Sequence, residues 1–392
     1  MTNSASLLLI NYYDKTSAAN SLPHIIICFW WRGRELRAVG YGGFVINSQP
    51  VAHTIDHAIA QPNEQPSAPV PPPSGVQYHL NYGNQHAVIC EVGAMVREYK
   101  VNGRDVFVPF AITEAAPVYN AAVLAPWPNR LGNGSYTFEG YHGQLPVNEL
   151  DRLTALHGLV CWVRWELVSS AANSVTLRYD LPAQRGWPYQ LRLETTYELD
   201  DNGLSVTFSV VNLGSQTAPF GVGFHPWLST GGANLDDCAV RVDAKQHIIA
   251  NERLLPAGVE PVHGDYDLVK PKSLKGLDLD DAWIDPIFDN DGKSWTIMAC
   301  PDGFAPAVWM KSPLDTWQVC SANHITNYER FGLAAEPMTC AADAFNTGAG
   351  LITLSPGAGT VVHWGAALLP ADPAWFALAR NRGAEIAAGA QL

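Results

Sequence analysis

From about Val76 onward, apolar and polar residues alternate in short runs, a pattern that predicts β-strands instead of helices. In the run QLRLETTYEL, Leu191 and Leu193 fall on one face, and Arg192 and Glu194 fall on the other. After the turn signal DNG, the run LSVTFSVVNL continues the same alternation. These two runs are therefore expected to form strands with one face in a core.

Turn residues between these runs predict hairpins. Asn102-Gly103 separates two apolar runs and is a strong hairpin signal. The run GSYTFEG alternates through Tyr136 and Phe138, and LITLSPGAGTVVHWGAALL is expected to form a last hairpin. Long helical periodicity is nearly absent, and no internal repeat is visible. We therefore predict an all-β fold, a large antiparallel β-sandwich.

The pattern divides the chain into three parts. Residues 1–75 lack the alternation and end in the proline-rich stretch AQPNEQPSAPVPPPSG, so we expect a poorly ordered N-terminal extension with a linker. Residues 76–372 are expected to form one large β-domain. Residues 373–392 are rich in alanine and are expected to form a short helical or frayed tail.

Composition narrows the classes of partner. The formal net charge is −13 and no basic run occurs, which argues against nucleic acid and against anionic membrane surfaces. Seven scattered cysteines without a C-x-x-C motif indicate free thiols in a reducing compartment. No signal peptide and no apolar run long enough to cross a bilayer are visible. We expect a cytoplasmic protein, and the sequence leaves monomer or homodimer open.

Four segments place polar residues among glycine, proline and aromatic residues. They carry Asn129 with Arg130, then His157, then His225, and finally Glu336 in the stretch GLAAEPMTCAADAFNTG. Each residue except Glu336 has an ordinary structural explanation, such as a surface arginine, a turn cap or a satisfied core histidine. Glu336 stands in an apolar stretch, and glutamate is almost never buried without a partner.

Two further features belong to this set. In PFGVGFHPWL, two glycines let the backbone turn or lie close to another segment, and Pro226 biases His225 toward an extended conformation. A stiff, aromatic-walled segment that holds one imidazole is expected. The stretch LDLDDAW contains Asp280 and Asp281 in an acidic turn, which is most simply a solvated loop.

The motifs PWPNRLGNGSYTFEGYHGQLPVNE, ALHGLV, GFHPWL, LDDAW, AAEPMT, DAFNTG and LSPG occur in the order and spacing of a known family. Over roughly residues 76–370 the chain resembles the aldose 1-epimerase (galactose mutarotase) family. The resemblance implies a galactose mutarotase-like supersandwich and interconversion of the α and β anomers of a free hexose. It implies a small sugar as the partner and no cofactor or metal.

The resemblance also implies residue roles. Glu336 would be the general base that takes the proton from the anomeric hydroxyl, and His225 the general acid that protonates the ring oxygen. The implied substrate-binding residues are Arg130, Asn129, His157, Asp280 or its neighbour Asp281, and Trp227 or Trp127 as a flat apolar face.

The chemistry suits these residue types independently of the family. Mutarotation opens a hemiacetal, so one proton leaves O1 while another reaches O5, and we expect an acid and a base on different sides of one ring. A carboxylate in apolar surroundings has a raised pKa and is a better base near neutrality. We expect a bell-shaped pH profile with its acidic limb from Glu336 and its basic limb from His225.

Two alternatives remain open at this stage. The motif APWPNRLGNG with HGLVCWVRW looks closer to the branch that includes sulfoquinovose mutarotases, while a hexose 6-phosphate branch carries an arginine soon after its His-Gly. Here the nearest arginine after Gly158 is Arg164. The chain is therefore either a mutarotase for a free hexose, one for a sulfonated or phosphorylated hexose, or a non-catalytic sugar-binding protein of the same fold.

Overall fold

The computed structural model describes residues 7–9, 27–29 and 71–374 of the chain. The chain divides into two units, Met1–Ser67 and Ala68–Leu392. In the first unit, strand β1 (Leu7–Leu9) pairs antiparallel with β2 (Ile27–Phe29). The predictions of a poorly ordered extension over 1–75 and of a tail over 373–392 lie largely outside the described residues.

The regular secondary structure in the described part of the second unit consists almost entirely of strands. The strands are β3 (Gln77–Tyr82), β4 (Gln85–Cys90), β5 (Val96–Val101), β6 (Arg104–Asp105), β7 (Val123–Leu124), β8 (Arg130–Gly132), β9 (Ser135–Phe138), β10 (Tyr141–Gln144), β11 (Thr154–Leu156), β12 (Glu166–Ser170), β13 (Ser174–Leu181), β14 (Leu191–Asp200), β15 (Gly203–Asn212), β16 (Ala218–Phe220), β17 (Gly223–Phe224), β18 (Trp227–Leu228), β19 (Ala239–Val242), β20 (Ala244–Ala250), β21 (Pro256–Pro261), β22 (Lys272–Ser273), β23 (Asp280–Pro286), β24 (Ser294–Ala299), β25 (Phe304–Met310), β26 (Thr316–Cys320), β27 (Leu333–Met338), β28 (Ile352–Leu354) and β29 (Gly359–Pro370). The helices are α1 (Ala344–Thr347) and three 3-10 turns, Pro117–Tyr119, Leu235–Asp237 and Gly264–Tyr266.

Two large antiparallel sheets dominate this unit. One sheet has nine strands in the order β12-β13-β14-β15-β29-β25-β24-β19-β22. The other has eight strands in the order β21-β20-β23-β26-β27-β17-β7, with β18 also paired to β27. A four-stranded sheet, β3-β4-β5-β6, accompanies them. The predicted all-β antiparallel fold is confirmed.

Aromatic rings join the two large sheets. Phe208 of β15 and Trp364 of β29 belong to the nine-stranded sheet, and Phe224 of β17 belongs to the eight-stranded sheet. The ring centre of Phe224 lies 5.8 Å from that of Phe208 and 4.9 Å from that of Trp364. All three side chains are fully buried, so the core lies between the sheets and holds the segment that precedes His225.

The predicted alternation is found in the strands. In β14, buried and more exposed residues alternate along the strand, with Leu191 and Leu193 fully buried. The hairpin at Asn102-Gly103 is confirmed, because Val101 pairs with Arg104 and both turn residues have positive φ. Positive φ at both central residues is the conformation that a two-residue hairpin of this type requires.

The expected last hairpin is wrong. Strand β28 pairs with β16, while β29 pairs with β15 on one edge and with β25 on the other. A strand has only two edges for hydrogen bonding, so β29 has none left for β28. The local turn signal SPGA is correct, but it connects strands of different sheets.

The remaining described features fit the composition. The six cysteines whose side chains are described are free thiols, and five of them are buried. Within the described residues, no helix has the length and apolar character needed to span a bilayer.

Candidate functional site

The segment that carries His225 connects two short strands of the eight-stranded sheet. His225 follows β17 and precedes β18, and its backbone NH and carbonyl bond to Ala122 (3.3 Å) and Ala121 (2.8 Å). A Cβ atom at Gly223 would lie 2.8 Å from side-chain atoms of both Met338 and Pro128. The glycine therefore allows close approach between segments, as one of the two sequence-based explanations expected.

Glu336 lies in the middle of β27, a strand in which all six residues are buried. The backbone NH of its neighbour Ala335 donates to the carbonyl of Pro226 at 3.0 Å, which ties this strand to the His225 segment. The Oε1 atom of Glu336 lies 3.4 Å from Nε2 of His225. Adjacent strand pairing therefore brings together the two residues predicted to be acid and base.

Each member of this pair keeps one polar atom without a partner. Among the described residues, neither Nδ1 of His225 nor Oε2 of Glu336 has a hydrogen-bond partner, although both atoms are buried. Buried polar atoms are rarely left unpaired, because the loss of water costs free energy that no new bond offsets. Such atoms are suited to meet the polar groups of a ligand.

The relative position of the two groups differs from the sequence-based expectation. They lie side by side instead of on different sides of a ring. The expectation overlooked that O1 and O5 of an aldose are both bonded to C1. Neighbouring protein groups can therefore reach both oxygens from one direction.

Burial sets the charge state of the pair. It raises the pKa of Glu336 well above its ordinary value; Asp280 raises it further and Arg130 opposes. Burial lowers the pKa of His225 to about 3, and the charge of Arg130 acts in the same direction. At neutral pH the proton shared by the pair therefore resides on Glu336, and His225 is neutral.

This charge state reverses the expected assignment of the pH limbs. A second proton enters the pair at His225 in acid, and the one remaining proton leaves Glu336 in base. The expectation of an acidic limb from Glu336 and a basic limb from His225 used ordinary pKa values, whereas burial of the pair favours the opposite assignment.

Strand pairing also brings Arg130, Asn129 and His157 to the same place. Leu156 of β11 pairs with Arg130 of β8, and the backbone NH of His157 donates to the carbonyl of Asn129 at 2.9 Å. Both Asn129 and His157 have positive φ. At Gly158, with φ of +76°, a Cβ atom would lie 2.1 Å from the carbonyl oxygen of Ala125. Only glycine fits there, and this fixes the turn that carries His157.

His157 faces the catalytic candidates. Its ring centre lies 5.2 Å from that of His225 in an edge-to-face arrangement. Burial lowers the pKa of His157 well below its ordinary value, and the nearby His225 and Arg130 act in the same direction, so the ring is neutral. Its Nδ1 atom is buried and has no partner among the described residues. A neutral imidazole in this position can donate or accept a hydrogen bond.

The choice between Asp280 and Asp281 follows from strand alternation. The stretch predicted as an acidic turn begins strand β23 instead, and successive side chains in a strand point to opposite faces. Asp280 contacts Arg130 at 3.4 Å and accepts a hydrogen bond from Gln318 at 2.8 Å. Asp281 contacts His247 at 3.0 Å on the other side. Only Asp280 lines the cavity described below.

Trp227 does not offer the flat face that was expected of it. It lies in the cavity wall, but its side chain has no exposed surface. Its ring stacks on His225 with centres 5.4 Å apart and packs against Phe331 at 4.5 Å, while its Nε1 donates to the carbonyl of Val118. Trp227 therefore supports His225 from behind, and its ring is enclosed by apolar neighbours that include Ala322, Ala334 and Phe331.

A tyrosine takes the exposed aromatic position instead. Trp127 packs in the core against Phe345 at 5.8 Å and is not part of the cavity lining. Tyr119 lines the cavity, is half-buried, and has its ring centre 4.6 Å from that of His157 and 6.4 Å from that of His225. Tyr119 lies outside the motifs of the sequence analysis, so the sequence did not single it out.

These residues surround one cavity of about 450 Å³, a volume typical of sites for small molecules. It is lined by Val118, Tyr119, Asn129, Arg130, Glu149, Arg152, Leu156, His157, His225, Trp227, Leu254, Asp278, Leu279, Asp280, Cys320, Ala322, Asn323, His324, Ile325 and Glu336. All seven predicted site residues belong to this lining. Backbone conformations with positive φ at residues other than glycine are uncommon and cluster at functional sites. Six of the described lining residues have such a conformation: Val118, Tyr119, Asn129, His157, Leu254 and Ala322.

Comparison with known proteins shows the family of the chain. The model of the aldose 1-epimerase family matches residues 77–363, and the chain belongs to this family. The uncharacterized protein YihR of Escherichia coli (strain K12) is 33% identical over 286 residues, which cover 72% of this chain and 90% of that protein. The galactose mutarotase of Rattus norvegicus is 29% identical over 200 residues, covering 47% of this chain and 56% of that protein.

Solved structures share the fold. The GalM/aldose epimerase homologue from C. elegans superposes with a TM-score of 0.67 at 17% identity, covering 76% of this chain and 99% of that chain. A galactose mutarotase-like protein from Clostridium acetobutylicum gives a TM-score of 0.65 at 18% identity, covering 75% and 95%. At these identities the likeness shows the fold, a galactose mutarotase-like β-sandwich.

Proposed function

We propose that the chain is an aldose 1-epimerase that interconverts the α and β anomers of a free hexose of the galactose or glucose type. The observation that carries the proposal is the buried contact of 3.4 Å between His225 and Glu336, each with one unpaired polar atom, in the wall of a sugar-sized cavity. Membership of the aldose 1-epimerase family supports the same reaction.

The pair supplies both proton transfers. Glu336 first passes its proton to Nε2 of His225 across their contact. The resulting carboxylate accepts the proton of the anomeric hydroxyl while O1 forms a carbonyl with C1. The C1–O5 bond breaks, and its electron pair takes the proton of His225. Glu336 is then protonated and His225 neutral, as at the start.

Reclosure yields the other anomer. Rotation about the C1–C2 bond exposes the opposite face of the carbonyl to O5, and the same proton transfers run in reverse. The reaction needs no oxidant, reductant or co-substrate, because every proton and electron pair returns to its starting group. The proposed mechanism assigns no step to a cofactor or metal.

The other lining residues would hold the sugar. Arg130, Asn129, His157 and Asp280 carry donors and acceptors around the catalytic pair, and these suit hydroxyl groups. Tyr119 would pack against the apolar C–H edge of the ring, the role that Trp227 cannot fill because it is enclosed.

Charge around the cavity favours a neutral sugar. Besides the protonated Glu336, the lining has three carboxylates and two arginines: Glu149, Asp278, Asp280, Arg130 and Arg152. Both Arg130 and Arg152 contact Glu149, so an anionic substituent would have to compete with an existing carboxylate. We therefore expect free sugars to be better substrates than their 6-phosphates or 6-sulfonates.

Polarimetry tests the proposal. Freshly dissolved α-anomers of glucose, galactose, xylose, glucose 6-phosphate and sulfoquinovose are followed with and without the protein. We expect acceleration for at least one free hexose, with the highest kcat/KM among the neutral sugars. A kcat/KM for glucose 6-phosphate or sulfoquinovose well above that for the free hexoses would make the protein a mutarotase for an anionic sugar. Binding without acceleration would make it a sugar-binding protein.

A further inference from the structure

Glu149 is a half-buried acid in the cavity wall to which neither the motifs nor the mechanism above gives a role. Its side chain is 11% exposed and forms a two-point contact with Arg130. The Nε atom of Arg130 lies 2.9 Å from Oε2 of Glu149, and Nη2 lies 3.1 Å from Oε1. Parallel contacts of this kind fix the plane of a guanidinium as well as its position.

Further groups hold Glu149 itself. The hydroxyl of Thr154, in β11, donates to Oε2, and Nη1 of Arg152 lies 3.1 Å from Oε1. Burial raises the pKa of Glu149, but the bonds from Arg130 and Thr154 outweigh it and lower the pKa below its ordinary value. Glu149 is therefore ionised at neutral pH. The phenol of Tyr119 also faces Glu149 and is neutral, because burial raises its pKa to about 12.

Arg130 transmits this arrangement to the catalytic pair. Beyond Glu149, its Nη2 atom lies 3.4 Å from Oδ2 of Asp280, and its Nη1 atom lies 3.4 Å from Oδ1 of Asn129. The positive charge of Arg130 lowers the pKa of Glu336 and opposes the effect of Asp280. The negative charge of Glu149 offsets part of the positive charge of Arg130, so Glu149 also changes the effect of Arg130 on the pKa of Glu336.

We propose that Glu149 is a positioning residue that orients the guanidinium of Arg130 for a sugar hydroxyl and partly neutralises its charge beside Glu336. The inference rests on the proposed function of the cavity. Removing the charge of Glu149 should change two properties that a purely structural residue would not affect. These are the KM for the sugar and the pKa of Glu336, which lies on β27.

The main test is Glu149→Gln in the full chain, which keeps the shape of the side chain and removes its charge. With the aldose that the wild type converts best, we expect KM to rise roughly tenfold because Arg130 loses charge-assisted hydrogen bonds that orient it. The basic limb of kcat/KM should move to lower pH, because a less compensated Arg130 favours the ionised form of Glu336.

Glu194→Gln is the matched control. Glu194 lies on β14 and also pairs with an arginine, Arg178, at 2.8 Å, but neither residue lines the cavity. This variant should keep the KM and the pH profile of the wild type. A Glu149→Gln protein with unchanged KM and an unchanged basic limb would overturn the inference.

A double-mutant cycle tests whether the effect passes through Arg130. Arg130→Met alone should raise KM, and adding Glu149→Gln to it should change KM by less than about twofold, because residues that act through one contact are not additive. An undiminished effect of Glu149→Gln in the Arg130→Met background would contradict the proposed route.

Two further experiments apply if the Glu149→Gln variant does not fold or if the wild type converts no aldose. If Glu149→Gln does not fold, Thr154→Val removes one hydrogen bond that positions Glu149 but keeps its charge, so KM should rise by less and the basic limb should stay in place; an unchanged KM would count against the inference. If the wild type converts no aldose, the proposed function fails, but carbon-13 NMR titration of Glu336 still tests the inference. The pKa of Glu336 should then be lower in Glu149→Gln than in the wild type, and an unchanged pKa would overturn the inference.

Discussion

The eight-stranded sheet holds two buried histidines that contact carboxylates, yet their environments have opposite effects. His247 lies between Asp281 (3.0 Å) and Glu260 (3.2 Å), so both ring nitrogens have partners. Burial lowers its pKa, but these bonds outweigh burial and raise the pKa above its ordinary value. His225 contacts one carboxylate at 3.4 Å and keeps Nδ1 unpaired.

The comparison separates a structural pair from a reactive one. A histidine whose two ring nitrogens both contact carboxyl groups has its charged form favoured and no free hydrogen-bonding capacity, and the pair contributes to stability. A histidine beside one protonated acid is neutral and has hydrogen-bonding capacity left for a ligand. The adjacent residues Asp280 and Asp281 lie on opposite faces of β23, and Asp281 supports His247 while Asp280 lines the cavity.

The largest expected effect follows from His225→Asn, which removes the titratable ring but keeps a polar side chain. Because general acid–base catalysis by one positioned group contributes about 10²–10⁴-fold, kcat should fall by that factor. The double variant with Glu336→Gln should lose much less than the product of the single losses, because both groups act in one proton relay. Multiplicative losses in spontaneous-corrected polarimetry would mean that the two groups act independently.

The next largest expected effect is on the pH dependence of the reaction rate, which reports the titration of His225 and Glu336. The rate should stay level from about pH 7 down to about pH 5, the range in which an ordinary imidazole titrates, because the pKa of His225 lies near 3. The basic limb should reflect loss of the proton from Glu336. A tenfold fall in kcat/KM between about pH 7 and about pH 5 would contradict the reversed assignment of the limbs.

The structural pair is tested by His247→Gln. We expect the free energy of unfolding to fall by about 1–3 kcal/mol in mildly acidic solution, while kcat stays close to the wild-type value. Because the folded-state pKa of His247 is raised, its stabilisation is complete below the unfolded-state pKa and is lost as the pH rises through the folded-state pKa.

Urea unfolding at several pH values measures this effect. The difference between wild type and variant should therefore shrink toward alkaline pH. His363→Gln, at an exposed position on β29, is the control and should change neither stability nor its pH dependence appreciably. A difference that grows with pH would show that His247 is not held charged.

The smallest effects separate the two neighbouring aspartates. Asp280→Asn should mainly weaken substrate binding, raising KM by a few-fold to about tenfold for loss of a sugar hydrogen bond. Asp281→Asn should leave KM unchanged and lower stability instead, since Asp281 contacts His247. A raised KM in Asp281→Asn with a normal Asp280→Asn would transfer the sugar contact to the neighbour.

Much of the fold could be predicted because its signals are local. Alternation in β14 and the turn at Asn102-Gly103 are properties of consecutive residues, and both are found as expected. The partner of β28 could not be predicted, because strand pairing across sheets depends on which edges the rest of the chain has already occupied. The complete burial of Trp227 could not be predicted either, because it depends on segments that are distant in the sequence.

The site divides in a similar way. Glu336 and His225 stand out because a charged or titratable residue among apolar and glycine residues conflicts with its local surroundings. Glu149 and Tyr119 have no such conflict in the sequence, and their place in the cavity follows only from tertiary contacts. The raised pKa of Glu336 was expected from its apolar neighbours, whereas the lowered pKa of His225 depends on the final burial and was beyond local patterns.

The most direct test of the central claim is the mutarotation rate of Glu336→Gln. The variant keeps the shape of the side chain and removes the base, so its kcat, corrected for the spontaneous reaction, should be at least about 10²-fold below that of the wild type. Circular dichroism establishes that the variant is folded. A folded Glu336→Gln protein with a near-wild-type kcat would contradict acid–base catalysis by the Glu336–His225 pair.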